Sequence, residues 1–565
     1  MPTPPTPPTP PTPPSTPDAQ PSDSSPAPEI PRALLDPAVY PDAPDTVSHI
    51  QTHISHVLLA GDLVYKVKKP VTLDFIDFST PDLRRRYCLD ELRLNRRLAP
   101  DTYRRVLPIV RTEQGAIRIL PAPIDPQSRV GTDPPGTFDY ALEMLRLPED
   151  GMMTTLLERN ALTTEQIRDL ASLLADFHAR ADRSPEIDRT ASPDAIARRI
   201  RANLDDLEHL AGPIPDAPAP GAPILSPAAL IHLRRWFDAQ LDTHRPLMRA
   251  RIRDRRARDG HGDLHSGNIC LTEGGWVVFD CIEFSDALRY LDTAAELAFL
   301  AMDLRHRGHA ALAHALLDAY ARDADDPGLF ELQSLYQTHY GLVRAKVDAI
   351  AARQLTSDPD AALAKWRAAA SFAADVAAPT LAPTLIVLTG LPATGKSHAA
   401  RAIAHPFDAE LLQSDRLRKA LPGLDAQSLY SDAATDRTYA ELASRTERAL
   451  GEGRSVIADA THPSPERRLS TLDAAPRACA RAVIVHTTCD EPTIARRMAA
   501  RAHDPTEISD ADIEVYRRAR ESYTPPSHDT DAAPIVVSGP DTDPGILALR
   551  VIDTASRHPP TSTTR

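Results

Sequence analysis

Only five of the 565 residues are cysteine, Cys88, Cys270, Cys281, Cys479 and Cys489, scattered along the chain without a CxxC pair. An odd, dispersed set argues against a disulfide framework and against a zinc site, and points to a reducing compartment. Long apolar runs are missing too: no uninterrupted stretch approaches the roughly 18 residues of a spanning helix, so no membrane partner is expected. The N-terminus has no basic region followed by an apolar stretch, and a cytoplasmic location is the expectation. Positive charge is in deficit, with 64 Lys and Arg against 78 Asp and Glu and a net charge of -14. That balance argues against a general affinity for nucleic acid backbones, while a local basic groove stays open.

What is present is ordinary for a folded protein: 42% hydrophobic and 25% charged residues, enough for sizeable cores. The length suggests about three to four domains, but two larger domains with tails fit better. Residues 1–47 begin with Thr-Pro-Pro in tandem and continue in Pro, Ser, Ala and Asp, too little apolar surface to offset the entropy of ordering. A disordered, polyproline-like tail is expected, serving as a spacer rather than as a ligand for an SH3-like partner. Residues 556–565 are expected to be disordered as well.

The stretch from His261 to Asp292 reads HGDLHSGNICLTEGGWVVFDCIEFSDALRYLD. Asp263 precedes Asn268 by five residues, and Asp280 ends the apolar run Trp276 to Phe279. This is the Asp-then-Asn spacing of a protein-kinase catalytic loop, followed by an Asp that holds magnesium. Phosphoryl transfer depends on positioning more than on covalent help. Asp263 would accept a hydrogen bond from the acceptor hydroxyl, and Asn268 and Asp280 would supply hard oxygen ligands to the Mg2+ that neutralises ATP phosphates. Surface turns also favour Asp, Gly, Ser and Asn, but turn chemistry does not predict a strand ending in Asp280.

Upstream, residues 56–71 read as two short strands around Ala60-Gly61-Asp62, a hairpin. Lys66 and Lys68 are two apart and share a face of the second strand. A helix over 83–98 carries Glu91, and strand lysine followed by helix glutamate is how kinase-like small lobes hold ATP phosphates. Lys66 and Glu91 are the candidates, with Lys68 the rival lysine and solvated charges the bland alternative. His178, at the end of a capped amphipathic helix, reads as a packing or capping residue.

HGDLHxxN with its following aspartate resembles the aminoglycoside phosphotransferase-like branch of the kinase-like fold over residues 48–375. That resemblance implies that Asp292 braces the backbone of the catalytic loop. Together with YKVKKP, ELRLNRRLAP and FDCIEF, it is similar to a bacterial family in which such a domain is fused to an ATP-binding, AAA family ATPase-like domain. The likeness implies a fold and does not establish an antibiotic substrate.

After 376–383, which reads as a linker, TLIVLTGLPATGKSHAARAIA contains the full GxxxxGKS pattern between an apolar strand and a helix, the context that confirms a P-loop. The loop backbone of Gly390, Leu391, Pro392, Ala393, Thr394, Gly395 and Lys396 would cradle phosphates. The Lys396 side chain would reach the β- and γ-phosphates, and Ser397 would ligate magnesium. Residues 384–555 are therefore expected to form a P-loop domain with a parallel sheet. Small P-loop kinases, including polynucleotide kinase and zeta-toxin-like proteins, carry an Asp that activates the acceptor and a nearby Arg; Asp415 and Arg418 resemble that pair. Asp459, ending the strand SVIADATH, fits a Walker-B carboxylate or a strand cap equally. Arg497 and Arg501 fall where such kinases carry a lid over the phosphates, with Arg496 an alternative to Arg497.

The sequence thus implies an α/β and α+β chain of two fused modules that use ATP and Mg2+: a two-lobed kinase-like domain that phosphorylates a hydroxyl of a small-molecule acceptor, and a P-loop domain that binds ATP and transfers phosphate. The rivals are a P-loop domain that senses nucleotide without transfer, a C-terminal domain that phosphorylates nucleic acid ends, and a kinase-like domain that only binds.

Overall fold

The computed structural model describes residues 32–52, 54–73, 76–127, 133–210, 223–355, 358–422, 431–501, 513–558 and 560. The chain divides into two compact units, one of Met1–Arg93 with Pro100–Arg146 and the other of Leu94–Ala99 with Leu147–Arg565.

The first unit is built on a six-stranded antiparallel sheet. Its strands lie in the order Val47–Gln51, Ser55–Ala60, Leu63–Lys68, Thr137–Leu145, Tyr103–Arg111, Ile117–Ile119. The expected hairpin closes where Ala60 pairs with Leu63, and Gly61 makes the turn at φ +63°, where a side chain would be strained. Leu58, Tyr65, Val67, Leu107, Ile109 and Ala141 form the core beneath the sheet.

Composition assigns residues 32–47 to the disordered tail, but Leu34, Val39 and Tyr40 are buried in that same core. The Tyr40 hydroxyl donates to the Leu34 carbonyl at 2.6 Å, and its ring centroid lies 4.8 Å from that of Tyr65. Three apolar side chains suffice because the sheet supplies the opposite surface, which composition alone does not reveal. The Thr-Pro-Pro repeat lies outside the described residues.

The second unit combines helices with a five-stranded sheet, parallel throughout, in the order Glu410–Gln413, Val456–Asp459, Thr384–Thr389, Arg481–Thr487, Ile535–Ser538. The central strand Thr384–Thr389 is buried at every position, as a parallel strand covered on both faces must be. The expected linker 376–383 is partly packed: the helix Pro359–Ala377 runs into a 3-10 turn, Ala378–Leu381, whose Ala378 and Leu381 are fully enclosed, while Pro379 and Ala382 are exposed. Its residues are small and apolar, so they pack where a Gly/Ser linker would stay solvated. The terminal helix Pro544–Arg557 packs on Pro359–Ala377 and on Pro227–Arg253, Ser226 donates to Asp553, and Arg367 pairs with Asp543 at 3.2 Å. Leu335, Phe372, Leu381, Leu388, Ile403 and Val551 consequently belong to one continuous core. Among the described residues no helix is long and apolar enough to cross a membrane.

Candidate active sites

The loop after Asp259 is pinned by a buried helix, Thr293–His306. Glu296, on its first turn, accepts hydrogen bonds from the backbone N–H groups of His261 and Gly262, both at 2.6 Å, and lies 2.6 Å from His178 Nε2. Burial pushes the Glu296 carboxyl up, but His178 and the loop amides outweigh it and hold the group below the usual carboxylate range. A Cβ on Gly260 would collide with this carboxylate, which explains the glycine. His178 is thus a bonded packing residue, and its other nitrogen meets the Tyr320 hydroxyl at 2.8 Å.

Asp292, expected to brace the loop, does not. It pairs with Arg251 at 2.7 and 2.8 Å and caps its own helix by accepting from the Ala294 N–H at 2.8 Å. Glu296, four residues on and in the same helix, does the bracing. Its signal in the sequence is an acid inside the otherwise apolar TAAELAFLA.

The Asn268 side chain donates from Nδ2 to the Asp263 carbonyl at 3.0 Å and to the Asp263 carboxylate at 3.1 Å. The hairpin Ile269–Thr272 with Gly275–Val278 pairs Ile269 with Val278, so Phe279 bonds the Asn268 carbonyl at 3.0 Å and Asp280 follows at φ +62°. His261 Nε2–H donates to the Phe279 carbonyl at 2.9 Å, fastening loop to strand end. His265 accepts from the Gly267 N–H at 3.1 Å and presents Nε2 3.5 Å from Asp263 Oδ2. Desolvation raises the Asp263 carboxyl, yet His265, Arg344 and His261 together hold it at about 2, so it is an ionised acceptor at neutral pH. Sequence spacing picks out Asp263, Asn268 and Asp280 as candidates, and the structure adds His265 and the charge of Arg344 beside Asp263.

In the first unit, Lys66 and Lys68 both reach Glu91, one to each carboxylate oxygen, at 2.8 and 2.7 Å. Burial acts to raise the Glu91 carboxyl, and the two ammonium groups bring it below the usual range. The two lysines that sequence presents as rivals share one partner, with the Lys66 side chain 14% exposed and that of Lys68 1%.

The P-loop is shaped by backbone. Gly390 lies at φ +147°, Ala393 at +66° and Gly395 at +106°, and a Cβ on Gly390 would stand 2.7 Å from the Thr487 carbonyl oxygen. Thr394 Oγ1 bonds the Leu391 carbonyl at 2.8 Å and Thr487 Oγ1 at 2.7 Å. Lys396 opens the helix Lys396–Phe407, followed by Ser397, and its Nζ donates to the Leu391 carbonyl at 2.9 Å. Asp459 ends its strand in register with Leu388 and Gln413, is buried, and accepts from Gln413 Nε2 at 3.1 Å. Asp415 and Arg418 lie on the next helix, Ser414–Ala420, where Arg418 meets Thr435 Oγ1 at 3.4 Å. From the helix Glu491–Arg501, Arg497 reaches the Ala393 carbonyl at 3.3 Å. The side chain of Arg501 lies outside the described residues.

Beside the P-loop is a cavity of about 360 Å³, lined by Gly395, His398, Thr487, Arg497, Gly539 and Leu547 among others. Nothing in SGPDTDPGIL, residues 538–547, marks that segment as lining a pocket.

A family model for the phosphotransferase enzyme family matches residues 88–332, and one for an AAA domain matches residues 385–526. Uncharacterized proteins of Mycobacterium tuberculosis and Mycobacterium bovis are each 31% identical over 502 residues, 86% of this chain and 92% of the relative. Among solved structures, a choline/ethanolamine kinase family protein from Mesorhizobium loti is 12% identical with a TM-score of 0.35, covering 61% of this chain and 94% of that one. A gluconokinase from Sinorhizobium meliloti is 18% identical with a TM-score of 0.24, covering 31% and 93%.

Proposed function

The chain belongs to one family with these mycobacterial proteins and is a kinase-type enzyme, a phosphotransferase module followed by a P-loop module, and on that premise we propose that each module transfers the γ-phosphate of ATP to a hydroxyl of a small molecule. The observation that carries this reading is the Asp263–Asn268 pair, with Asp263 held ionised on a loop locked by Glu296. Asp263 accepts the hydrogen bond of the acceptor hydroxyl and sets its oxygen in line for attack. Lys66, braced by Glu91, binds ATP phosphates.

The residues present suit magnesium. Asn268 uses its amide N–H groups on Asp263, which leaves its carbonyl oxygen as one hard donor, and Asp280 would supply a carboxylate as another. Among the described residues no three His, Cys, Asp or Glu side chains gather into a metal cluster. One or two protein oxygens completed by water and phosphate is the usual arrangement for this ion. Bound there, Mg2+ would neutralise charge on the β- and γ-phosphates.

In the second module Gly390 to Lys396 cradle phosphates, the Lys396 side chain swings from the Leu391 carbonyl to the nucleotide, and Ser397 and Asp459 provide oxygen for magnesium. Asp415 acts on the acceptor, Arg418 binds it, and Arg497 with Arg501 closes on the phosphates. None of the five cysteines is in a disulfide, which suits a cytoplasmic protein.

The test is transfer of γ-labelled phosphate from ATP into a deproteinised extract by the wild type, Asp263→Ala and Lys396→Ala. Two products, each lost in one variant, are expected; free phosphate alone from every protein overturns the reading. The core shared by the helices and the P-loop sheet favours a second reading, in which the P-loop module senses nucleotide and regulates the first. It predicts a single product, abolished by Asp263→Ala and only modulated by Lys396→Ala.

A further inference from the structure

The helices Pro193–His209 and Gln333–Gln354 pack together near the catalytic loop and enclose polar atoms that nothing satisfies. Asn203 is 3% exposed, and neither its amide nitrogen nor its amide oxygen has a hydrogen-bond partner among the described residues. The Tyr336 hydroxyl, on a residue 2% exposed, and His339 Nδ1 are in the same condition. Buried polar groups in native proteins are nearly all bonded, so orphan atoms on two facing helices call for a partner from outside the chain.

This patch adjoins the catalytic aspartate. His265, 3.5 Å from Asp263, lies 5.7 Å from the Phe299 ring, which stacks on Tyr340 at 4.5 Å and 12°. Tyr336, Tyr340 and Arg344 follow one another at four-residue intervals and so share a helix face about 12 Å long. Arg199 and Asn203 share a face of the other helix for the same reason, and the Arg199 charge acts on Tyr336, His339 and Tyr340.

The charge there is positive, and Arg344 acts on the catalytic Asp263 itself. Arg199 donates only to carbonyls, those of Ala287 at 2.9 Å and Thr190 at 2.8 Å. Arg344 lies over the Phe372 ring at 5.7 Å and has no carboxylate within ion-pair distance among the described residues. The other acids nearby are engaged elsewhere: Asp206 with Lys346, Asp303 with Ser266 and Arg307, Asp292 with Arg251, and Glu296 with His178 and the loop.

We propose that this face is the acceptor subsite of the kinase-like module and that its acceptor is an anionic polyol, a hydroxyl-bearing carboxylate or phosphate ester. Arg344 and Arg199 take the anion, and Asn203, Tyr336 and His339 take hydroxyls. The inference rests on Asp263 receiving the acceptor hydroxyl, as in the function proposed above. In the step, the acceptor oxygen forms a bond to the γ-phosphorus, the bond from that phosphorus to ADP breaks with its electron pair leaving on ADP, and the hydroxyl proton passes to the Asp263 carboxylate. An ammonium acceptor would instead meet two guanidinium groups that make no ion pair with a carboxylate among the described residues.

The experiment separates a deproteinised bacterial small-molecule extract by ion exchange into anionic, neutral and cationic fractions. Each is incubated with γ-labelled ATP and the full-length protein, or with its Asp263→Asn variant. The expected result is an Asp263-dependent product from the anionic fraction alone; phosphatase treatment of that fraction beforehand abolishes it if the anion is a phosphate ester and spares it if it is a carboxylate. An Asp263-dependent product from the neutral or cationic fraction overturns the inference and leaves the transfer reading standing. No Asp263-dependent product from any fraction overturns the transfer reading and the inference with it. With the acceptor in hand, Arg344→Gln should raise its KM about ten-fold or more, with the KM for ATP unchanged and Arg344→Lys restoring part of the loss. An unchanged acceptor KM in a folded Arg344→Gln protein removes Arg344 from the subsite.

Discussion

At the kinase-like loop, the functional atoms are on side chains that other side chains hold in place: Asn268 on Asp263, Glu296 on the loop amides, His261 on the strand end. At the P-loop, position is set by dihedral angles, with Gly390, Ala393 and Gly395 at positive φ and Thr394 tied to Thr487. The first arrangement depends on charge and donor–acceptor identity and should not survive an isosteric change of either. The second depends, at Gly390, on the absence of a Cβ atom and should be intolerant of a methyl group there. Because both lie in the same unit and the P-loop sheet shares a core with the helices, each perturbation also reads out whether one site feels the other.

The largest effect is expected from Asp263→Asn, which keeps shape and removes the ionised acceptor. Transfer by the kinase-like module should fall by about 10²–10⁴, the usual share of a general base. Product-resolved kinetics should show the P-loop product unchanged, and a parallel loss of that product would break the separation of the two sites. Gly390→Ala comes next. The added Cβ meets Thr487 at a backbone angle that L residues rarely adopt, and strain of about 1–3 kcal/mol corresponds to roughly 5- to 150-fold weaker nucleotide binding at that site. Calorimetric titration with ATP measures it; binding equal to wild type would mean that the loop reshapes on loading.

Glu296→Gln sharpens the contrast from the other side. The amide keeps one acceptor oxygen for the two loop N–H groups but loses the charge facing His178, so a stability loss of about 1–3 kcal/mol is expected, with a fall in kcat for the kinase-like product and no change in the KM for ATP at the P-loop. A pure stability loss, with kcat intact, would show that the loop does not need its brace for catalysis.

The contrast also explains what the sequence made readable. Asp263, Asn268 and Asp280, and the whole of Gly390 to Ser397, fall within short segments whose spacing is fixed by a single loop or hairpin, so the chemistry can be recognised without knowing what surrounds it. Glu296 was displaced by Asp292 in that reading because both are acids on one helix, and only packing decides which one faces the loop. Arg344, Asn203 and residues 538–547 belong to the sites through tertiary contact alone. The hairpin and the parallel sheet were legible from alternation and from the strand–loop–helix pattern. The docking of Leu34 and Tyr40, and the burial of Ala378 and Leu381, were not, because local composition contains no information about the surface opposite.

The smallest effect expected, and the one that bears most directly on whether the two regions are thermodynamically one, comes from acid. His462 is buried between the P-loop strand and its neighbours, 2.7 Å from the Leu388 carbonyl and 3.1 Å from Thr471 Oγ1, and burial pushes its pKa down to about 4. In the helices, burial followed by Arg199 and Lys346 pushes His339 to about 3. Both folded-state values lie below the ordinary value of 6.5, so between these limits the unfolded chain binds more protons and stability falls as pH falls. The contribution is complete above about pH 6.5 and declines as the pH drops toward 4 for His462 and toward 3 for His339. At pH 5 the loss from His462 is about 1–2 kcal/mol, and His462→Gln should flatten the pH dependence of the unfolding free energy between pH 7 and 5 by that amount, with a smaller acid shift of the melting temperature. If the helices and the P-loop sheet unfold as one body, the flattening appears in a single transition reported alike by probes in both. If they are independent, His462→Gln flattens only a transition seen from the P-loop sheet while the helices keep their acid sensitivity through His339, and the shared core would then be a contact between two separately folding modules.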